Sequence, residues 1–199
     1  MTTEPGPWEE TIREFERQDA QGQVARGQIL FVGSSTFTRW NLAQYFPQPD
    51  LVNRGFGGSK LYEVADLAER YVTPPQPRQI VLYAGDNDLG QGRSPQQVLE
   101  AFRQFVAKVR PALPAAPILF VSIKPSPVRR HLLETMRQTN RLVQEEVNRG
   151  SGLEYLDMFE PMLDASGEPR AELFAEDKLH LNHQGYLLWA RLIGPHLAP

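Results

Sequence analysis

Four apolar residues, Ile29, Leu30, Phe31 and Val32, run without a polar interruption and stop at Gly33-Ser34-Ser35. A strand with one face in water alternates polar and apolar side chains. An unbroken apolar run instead predicts a strand buried on both faces, as in a parallel sheet covered by helices. Glycine at position 33 permits a sharp turn. Beyond it, Phe37, Trp40 and Tyr45 or Phe46 recur at roughly helical spacing, so the two serines fall where a strand hands over to a helix. In open α/β sheets that carboxyl edge is where ligands bind. A hydroxyl placed there is a candidate nucleophile, and nothing local decides between Ser34 and Ser35.

The same grammar recurs along the chain. Leu51 to Arg54 reads as a short second strand entering Gly55-Phe56-Gly57-Gly58-Ser59, with Ser59 as the expected N-cap of a helix that reaches Tyr71. Pro74, Pro75 and Pro77 end that helix, and Gln79 to Ala84 is a third strand closing at Gly85-Asp86-Asn87-Asp88. Ser94 and Pro95 open a helix carrying Val98, Phe102, Phe105, Val106 and Val109, and Ile118 to Ser122 is the fourth strand. A proline-rich loop, Lys124 to Pro127, precedes a helix marked by Leu132, Leu133, Met136, Leu142, Val143 and Val147. The fifth strand is Leu153 to Leu156 or Asp157. Residues 158–178 show no sustained period and read as a loop with room for one short helical turn; a last helix runs from about Asn182 to His196. Near the start, Pro7, Trp8, Ile12 and Phe15 predict an amphipathic helix from about Pro7 to Asp19, packed on the outside of the sheet. The expected fold class is α/β, a three-layer α/β/α sandwich on a five-stranded parallel sheet. It is expected to form one domain over 1–199, with the helix within 1–27 packed on it.

At 199 residues such a domain buries about 70% of the surface its unfolded chain exposes. There is no cysteine, which excludes disulfides, zinc-thiolate sites and a cysteine nucleophile. The net charge of -3 argues against a nucleic-acid partner, whose phosphates reward a basic surface. Residues 1–26 lack the apolar core of a signal peptide and no later run is long enough for a membrane span, so the cytoplasm is the expected location. Arg129 and Arg130 read as a solvated charged face.

Three strand ends carry small or polar groups in combination: Gly33-Ser34-Ser35, Asn53 to Ser59, and Gly85 to Asp88. All three would lie along one edge of the sheet. Near the C-terminus, Asp177 precedes His180 by three residues, close enough for the side chains to meet on one turn. An orienting acid, a base and a serine make a nucleophilic triad, which is recognised by role rather than by chain order. Other chemistries fit less well. Gly55 to Lys60 matches neither the phosphate-loop nor the dinucleotide fingerprint. Asp86 and Asp88 lack further acids at calcium-loop spacing, so no metal is expected. The G-x-S-x-G elbow is absent, since Phe37 occupies its last position. His131, His183 and His196 have no carboxylate at the interval that serves His180 and read as surface residues.

Together, Gly33-Ser34-Ser35, Asn53-x-Gly55-x-x-Gly58, Gly85-x-Asn87-Asp88 and Asp177-x-x-His180 resemble the motif blocks of the SGNH hydrolases, the GDSL-like esterases and lipases. The blocks stand in order across nearly the whole chain. The resemblance implies a flavodoxin-like SGNH hydrolase fold, Ser35 as nucleophile, His180 as general base and Asp177 as its orienting acid. It further implies oxyanion donors from the Ser35 and Gly58 amides and the Asn87 side chain. One position departs: the family usually has aspartate where this chain has Ser34. The expected function is that of a serine esterase forming an acyl-enzyme from small or short-chain carboxylic esters, O-acetyl groups included, without a cofactor. A lysophospholipase or thioesterase using the same groups is the alternative within the enzymes, and a catalytically silent binding module on the same fold is the rival outside them. Phe37, Trp40, Phe56 and Leu89, with the loops Lys124 to Pro127 and Phe174 to Glu176, are expected to wall the substrate pocket. Arg39 and Arg54 are candidates for holding an anionic substrate group, although pairing with local acids is the commoner fate of an arginine. The oligomeric state leaves no mark in the sequence.

Overall fold

The computed structural model describes residues 6–198. Five parallel strands form one sheet in the order β2-β1-β3-β4-β5, where β1 is Ile29–Gly33, β2 Leu51–Gly55, β3 Gln79–Tyr83, β4 Ile118–Val121 and β5 Leu153–Leu156. β1 pairs with both β2 and β3, so that Gly33 stands level with Gly55 on one side and Tyr83 on the other. The chain order reverses around β1. Its carboxyl end and that of β3 therefore flank the crevice that such sheets offer to ligands.

The apolar runs serve both faces, as two-sided burial requires. Leu30, Val32, Ile80, Leu82, Ile118 and Phe120 meet a layer built from α1 (Glu9–Ala20), α3 (Leu61–Tyr71), α5 (Pro95–Val109) and α6 (Leu133–Val147). Their neighbours Ile29, Phe31, Val81, Tyr83, Leu119 and Val121 meet an aromatic layer with α2 (Ser35–Thr38) and α7 (His183–Ile193), including Phe37, Trp40, Tyr186 and Trp189. Each such side chain contributes about 1.5 to 3 kcal/mol on leaving water.

α1 buries Ile12 and Phe15 and is clamped to α3 by Arg70, which reaches Glu9 and Glu16 at 2.7 Å each. Arg54 completes the clamp. Its guanidinium is 0% exposed, donates to Asp19 Oδ2 at 2.8 Å and to the Tyr71 carbonyl at 2.6 Å, and lies over the Phe15 ring. Arg54 thus anchors a helix and is closed to substrate, which corrects its candidacy as an anion holder.

Two local expectations also change. Ser59 does not cap α3; the cap is Lys60, whose N–H is satisfied by Glu63 at 2.9 Å. The Ser59 hydroxyl donates instead to the Phe56 carbonyl at 2.9 Å, while the Asp88 carboxylate accepts from the Leu61 N–H at 2.7 Å. A carboxylate from the segment after β3 has taken an orphan donor of the helix end. The segment 158–178 holds two short 3-10 turns, Glu160–Met162 and Ala171–Leu173, and isolated bridges join Leu163 to Pro169 and Phe174 to Leu181.

Candidate functional site

Gly33 ends β1 at φ 146°, where a Cβ would lie 1.8 Å from the Tyr83 carbonyl oxygen. Only glycine fits so close to β3. Gly55 plays the matching part on β2, since a Cβ there would come within 2.7 Å of the Thr38 nitrogen. The bare Gly55 lets α2 sit directly on the end of β2, with Ser35 as the first residue of that helix. Asn53 then secures α2 from below: its Nδ2 donates to the carbonyls of Phe37 at 2.6 Å and Trp40 at 3.0 Å, and its Oδ1 accepts from the Gly55 N–H at 3.0 Å. These bonds fasten the C-terminal end of the short helix to β2. Ser34 is fully buried, and its hydroxyl has no hydrogen-bond partner among the described residues.

The loop before α7 delivers a base to the Ser35 hydroxyl. His180 Nε2 lies 2.9 Å from Ser35 Oγ, and His180 Nδ1 lies 2.7 Å from Asp177 Oδ2. The other oxygen of Asp177 accepts the N–H groups of Leu179 at 3.0 Å and His180 at 2.9 Å. Partial burial works against the Asp177 carboxylate, but these bonds from the His180 backbone, its ring and Leu179 outweigh it. They hold its carboxyl well below the usual carboxylate range. Arg39 stands half-exposed at 3.6 Å from the same Asp177 oxygen. His183 lies apart from this line, exposed at the start of α7 with Nδ1 2.9 Å from the Tyr45 hydroxyl.

Gly58 occupies the turn after β2 at φ 78°, a left-handed conformation that suits glycine. Asn87 stands in α4 (Asp86–Gly90) after β3, and its Nδ2 donates to the Ser59 carbonyl at 3.1 Å, which ties the two loops together. Beneath Asn87 is a buried ionic cluster. Lys124, only 1% exposed, donates to the Tyr83 hydroxyl and to Asp86 Oδ2, both at 3.1 Å. Arg129 donates to the Asp86 carbonyl at 2.8 Å and to Asn87 Oδ1 at 2.9 Å, and its guanidinium is 3.3 Å from the Asp86 carboxylate. Burial disfavours the Asp86 anion, yet the cations of Lys124 and Arg129 prevail and hold its carboxyl below the ordinary value. Burial pushes the neighbouring Asp88 carboxyl up to about 6, despite its bond from Leu61 and Arg93 Nε at 3.6 Å.

The structure thus joins Ser35, His180 and Asp177 in one line and joins the Gly58 loop to Asn87. It does not place the expected apolar wall. Phe37, Trp40, Phe56 and Leu89 are 0%, 2%, 1% and 2% exposed and belong to the two cores. Lys124, Ser126 and Phe174 are buried as well. Beside a strand end, an apolar side chain gains more by entering the core than by lining a solvated cleft. The expectation of a solvated Arg129 is corrected as well. Arg130 is exposed and pairs with Glu168, as a solvated arginine does, whereas Arg129 turns inward to Asn87. Lys124, placed just after the apolar strand β4, was the sequence signal that a buried ionic cluster lay here. Among the described residues, no three His, Cys, Asp or Glu groups converge to hold a metal ion, and no helix is long and apolar enough to cross a membrane.

Residues 22–188 match the model of the GDSL-like Lipase/Acylhydrolase family. Among solved structures, the fold is similar to a Streptococcus pneumonia protein described as a candidate platelet activating factor, at 22% identity and TM-score 0.87 over 96% of this chain and 92% of that one. It is also similar to a GDSL-like lipase from Bacteroides thetaiotaomicron, at 15% identity and TM-score 0.75 over 93% and 97%. An acetyl esterase solved with an acetate ion aligns at 16% identity and TM-score 0.67 over 85% and 95%. At such identities the likeness speaks for the fold alone. No functionally curated protein matches the sequence.

Proposed function

The chain belongs to the GDSL-like lipase/acylhydrolase family and is a carboxylic ester hydrolase, and we propose that it cleaves small or short-chain esters, O-acetyl esters included, through a Ser35-His180-Asp177 triad. The observation that carries this reading is the unbroken line of 2.9 Å from Ser35 Oγ to His180 Nε2 and 2.7 Å from His180 Nδ1 to Asp177. A serine hydroxyl is a weak nucleophile at neutral pH, so the imidazole takes its proton as Oγ bonds to the ester carbonyl carbon. Asp177, ionised throughout, stabilises the imidazolium and keeps Nε2 facing the serine. The N–H groups of Ser35 and Gly58 and the Nδ2 of Asn87 receive the oxyanion. Collapse breaks the bond to the leaving alkoxide, which takes the proton from His180. Water then repeats the sequence on the acyl-enzyme and releases the acid.

A short acyl group is favoured because Phe37, Trp40, Phe56 and Leu89 are closed into the core, where they offer no surface to a long chain. The similar fold of an acetyl esterase agrees with that size. The test is release of p-nitrophenol from acetyl, butyryl and longer esters by wild type and Ser35→Ala. The variant is expected to lose roughly 10⁴-fold or more in kcat, with wild-type preference at acetyl or butyryl. Equal rates from the two proteins would refute the triad, and a preference for long chains would replace this reading with a lysophospholipase-like one.

A further inference from the structure

We propose that Arg129 is a positioning residue that orients and polarises the Asn87 amide as an oxyanion donor. This inference rests on the esterase reading above. The carboxamide of asparagine is nearly symmetric in shape, and only its hydrogen-bond partners decide which end is oxygen and which is nitrogen. Arg129 Nη2 donates to Asn87 Oδ1 at 2.9 Å, and a guanidinium, having donors alone, can hold only the oxygen end. The nitrogen is thereby turned to the opposite side. One of its two N–H bonds goes to the Ser59 carbonyl at 3.1 Å, and the second is left for a ligand. A cation on the amide oxygen also draws electron density from the nitrogen and strengthens the N–H as a donor.

Arg129 is itself held from two directions, by the Asp86 carbonyl at 2.8 Å and the Asp86 carboxylate at 3.3 Å, with Lys124 sharing that carboxylate. Space for it is reserved by Gly90, the last residue of α4. A Cβ at Gly90 would stand 3.0 Å from the Arg129 guanidinium carbon and two of its nitrogens. Asp86, Asn87 and Gly90 are thus three residues of one short helix that present an anion, the amide oxygen and a gap to a single arginine.

The test measures kcat, KM and thermal midpoint with p-nitrophenyl acetate. The proteins are wild type, Arg129→Ala, Arg129→Lys, Gly90→Ala and Asn87→Ala, with Arg129→Ala also combined with Asn87→Ala. Arg129→Ala is expected to lower kcat roughly 10- to 100-fold with KM unchanged, inside the roughly 10²- to 10³-fold loss of removing the donor itself in Asn87→Ala. Arg129→Lys, which keeps the charge but loses the two-pronged grip, falls between wild type and Arg129→Ala. Once Asn87 is alanine, adding Arg129→Ala costs less than roughly 3-fold, because the group through which it acts is gone. Gly90→Ala puts a methyl group 3.0 Å from the guanidinium and displaces it from Asn87, so kcat falls while both Asn87 and Arg129 are kept. Wild-type kcat in Arg129→Ala, an equal loss in the Asn87→Ala background, or wild-type kcat in Gly90→Ala overturns the proposal. Should Arg129→Ala fail to fold, Gly90→Ala and Arg129→Lys decide it. Absence of Ser35-dependent turnover in wild type would refute the esterase reading and this inference with it, whereas Ser35-dependent turnover indifferent to Arg129 refutes this inference alone.

Discussion

The two sides of the site are built on opposite principles. The relay side runs from Ser35 at the start of α2 to His180 and Asp177 on the loop before α7, and the Asp177 side chain is 43% exposed. The donor side sets the half-buried Asn87 and Arg129 on a buried ion pair of Lys124 and Asp86. A proton must travel along the relay, and water must reach the acyl-enzyme, so openness there is compatible with function. An oxyanion donor works only if its dipole is aimed before charge develops, which asks for a rigid and desolvated support. Burying charges for that purpose costs solvation, and the cluster is tolerable only because Asp86 faces two cations.

The contrast predicts different penalties on the two sides, beginning with the largest. Asp177→Asn keeps an oxygen for the Leu179 and His180 N–H groups but presents an amide to His180 Nδ1, which moves the imidazole proton to Nε2 and leaves no base facing Ser35. A kcat loss of about 10³- to 10⁴-fold is expected. Urea denaturation should shift by less than about 1 kcal/mol, because the residue is exposed. A large loss of stability in this variant would erase the distinction between the sides. Lys124→Met should do the reverse. It leaves Asp86 buried with one cation fewer, and breaking a buried pair in this way costs about 3 to 5 kcal/mol, readable as a lowered urea midpoint.

Asp88 sharpens the same comparison through pH. Its carboxyl, held up at about 6 against an ordinary 3.8, keeps its proton in the native state where the unfolded chain has lost it. The stability it contributes is full below about pH 4 and is lost as the pH rises through 6, a difference of about 3 kcal/mol for so buried a group. Asp88→Asn retains an acceptor for the Leu61 N–H without the charge. Its stability relative to wild type should therefore grow by up to about 3 kcal/mol between pH 4 and pH 8 in paired urea titrations, and a difference independent of pH would show that Asp88 ionises freely.

Legibility in the sequence followed the reach of the interactions concerned. The sheet was readable because strands buried on both faces need uninterrupted apolar runs, as at Ile29 to Val32 and Ile118 to Val121. Asp177 and His180 were readable as a pair because three residues of chain bring them together. Phe37, Trp40, Phe56 and Leu89 were misplaced for a simple reason: an apolar residue beside a strand end has the same identity whether it walls a cleft or fills a core. Arg129 was hidden because it sits next to Arg130 and looks like half of a solvated pair, while its partners Asp86 and Asn87 are 43 and 42 residues away. Ser59 reads as a cap because the acceptor that serves the helix end, Asp88, lies 27 residues beyond Leu61, whose N–H it takes.

What the sequence determined by itself was therefore the alternation of elements, the edge on which polar groups collect, and the residue types available for acyl transfer. Periodicity and turn chemistry are properties of neighbours and survive in a one-dimensional string. Which arginine faces water, which carboxylate takes up a helix N–H, and which way the Asn87 amide points were decided only by the tertiary structure. Each of those outcomes is a competition between partners distant in the chain, settled by desolvation and geometry once β1 and β3 have brought their ends together.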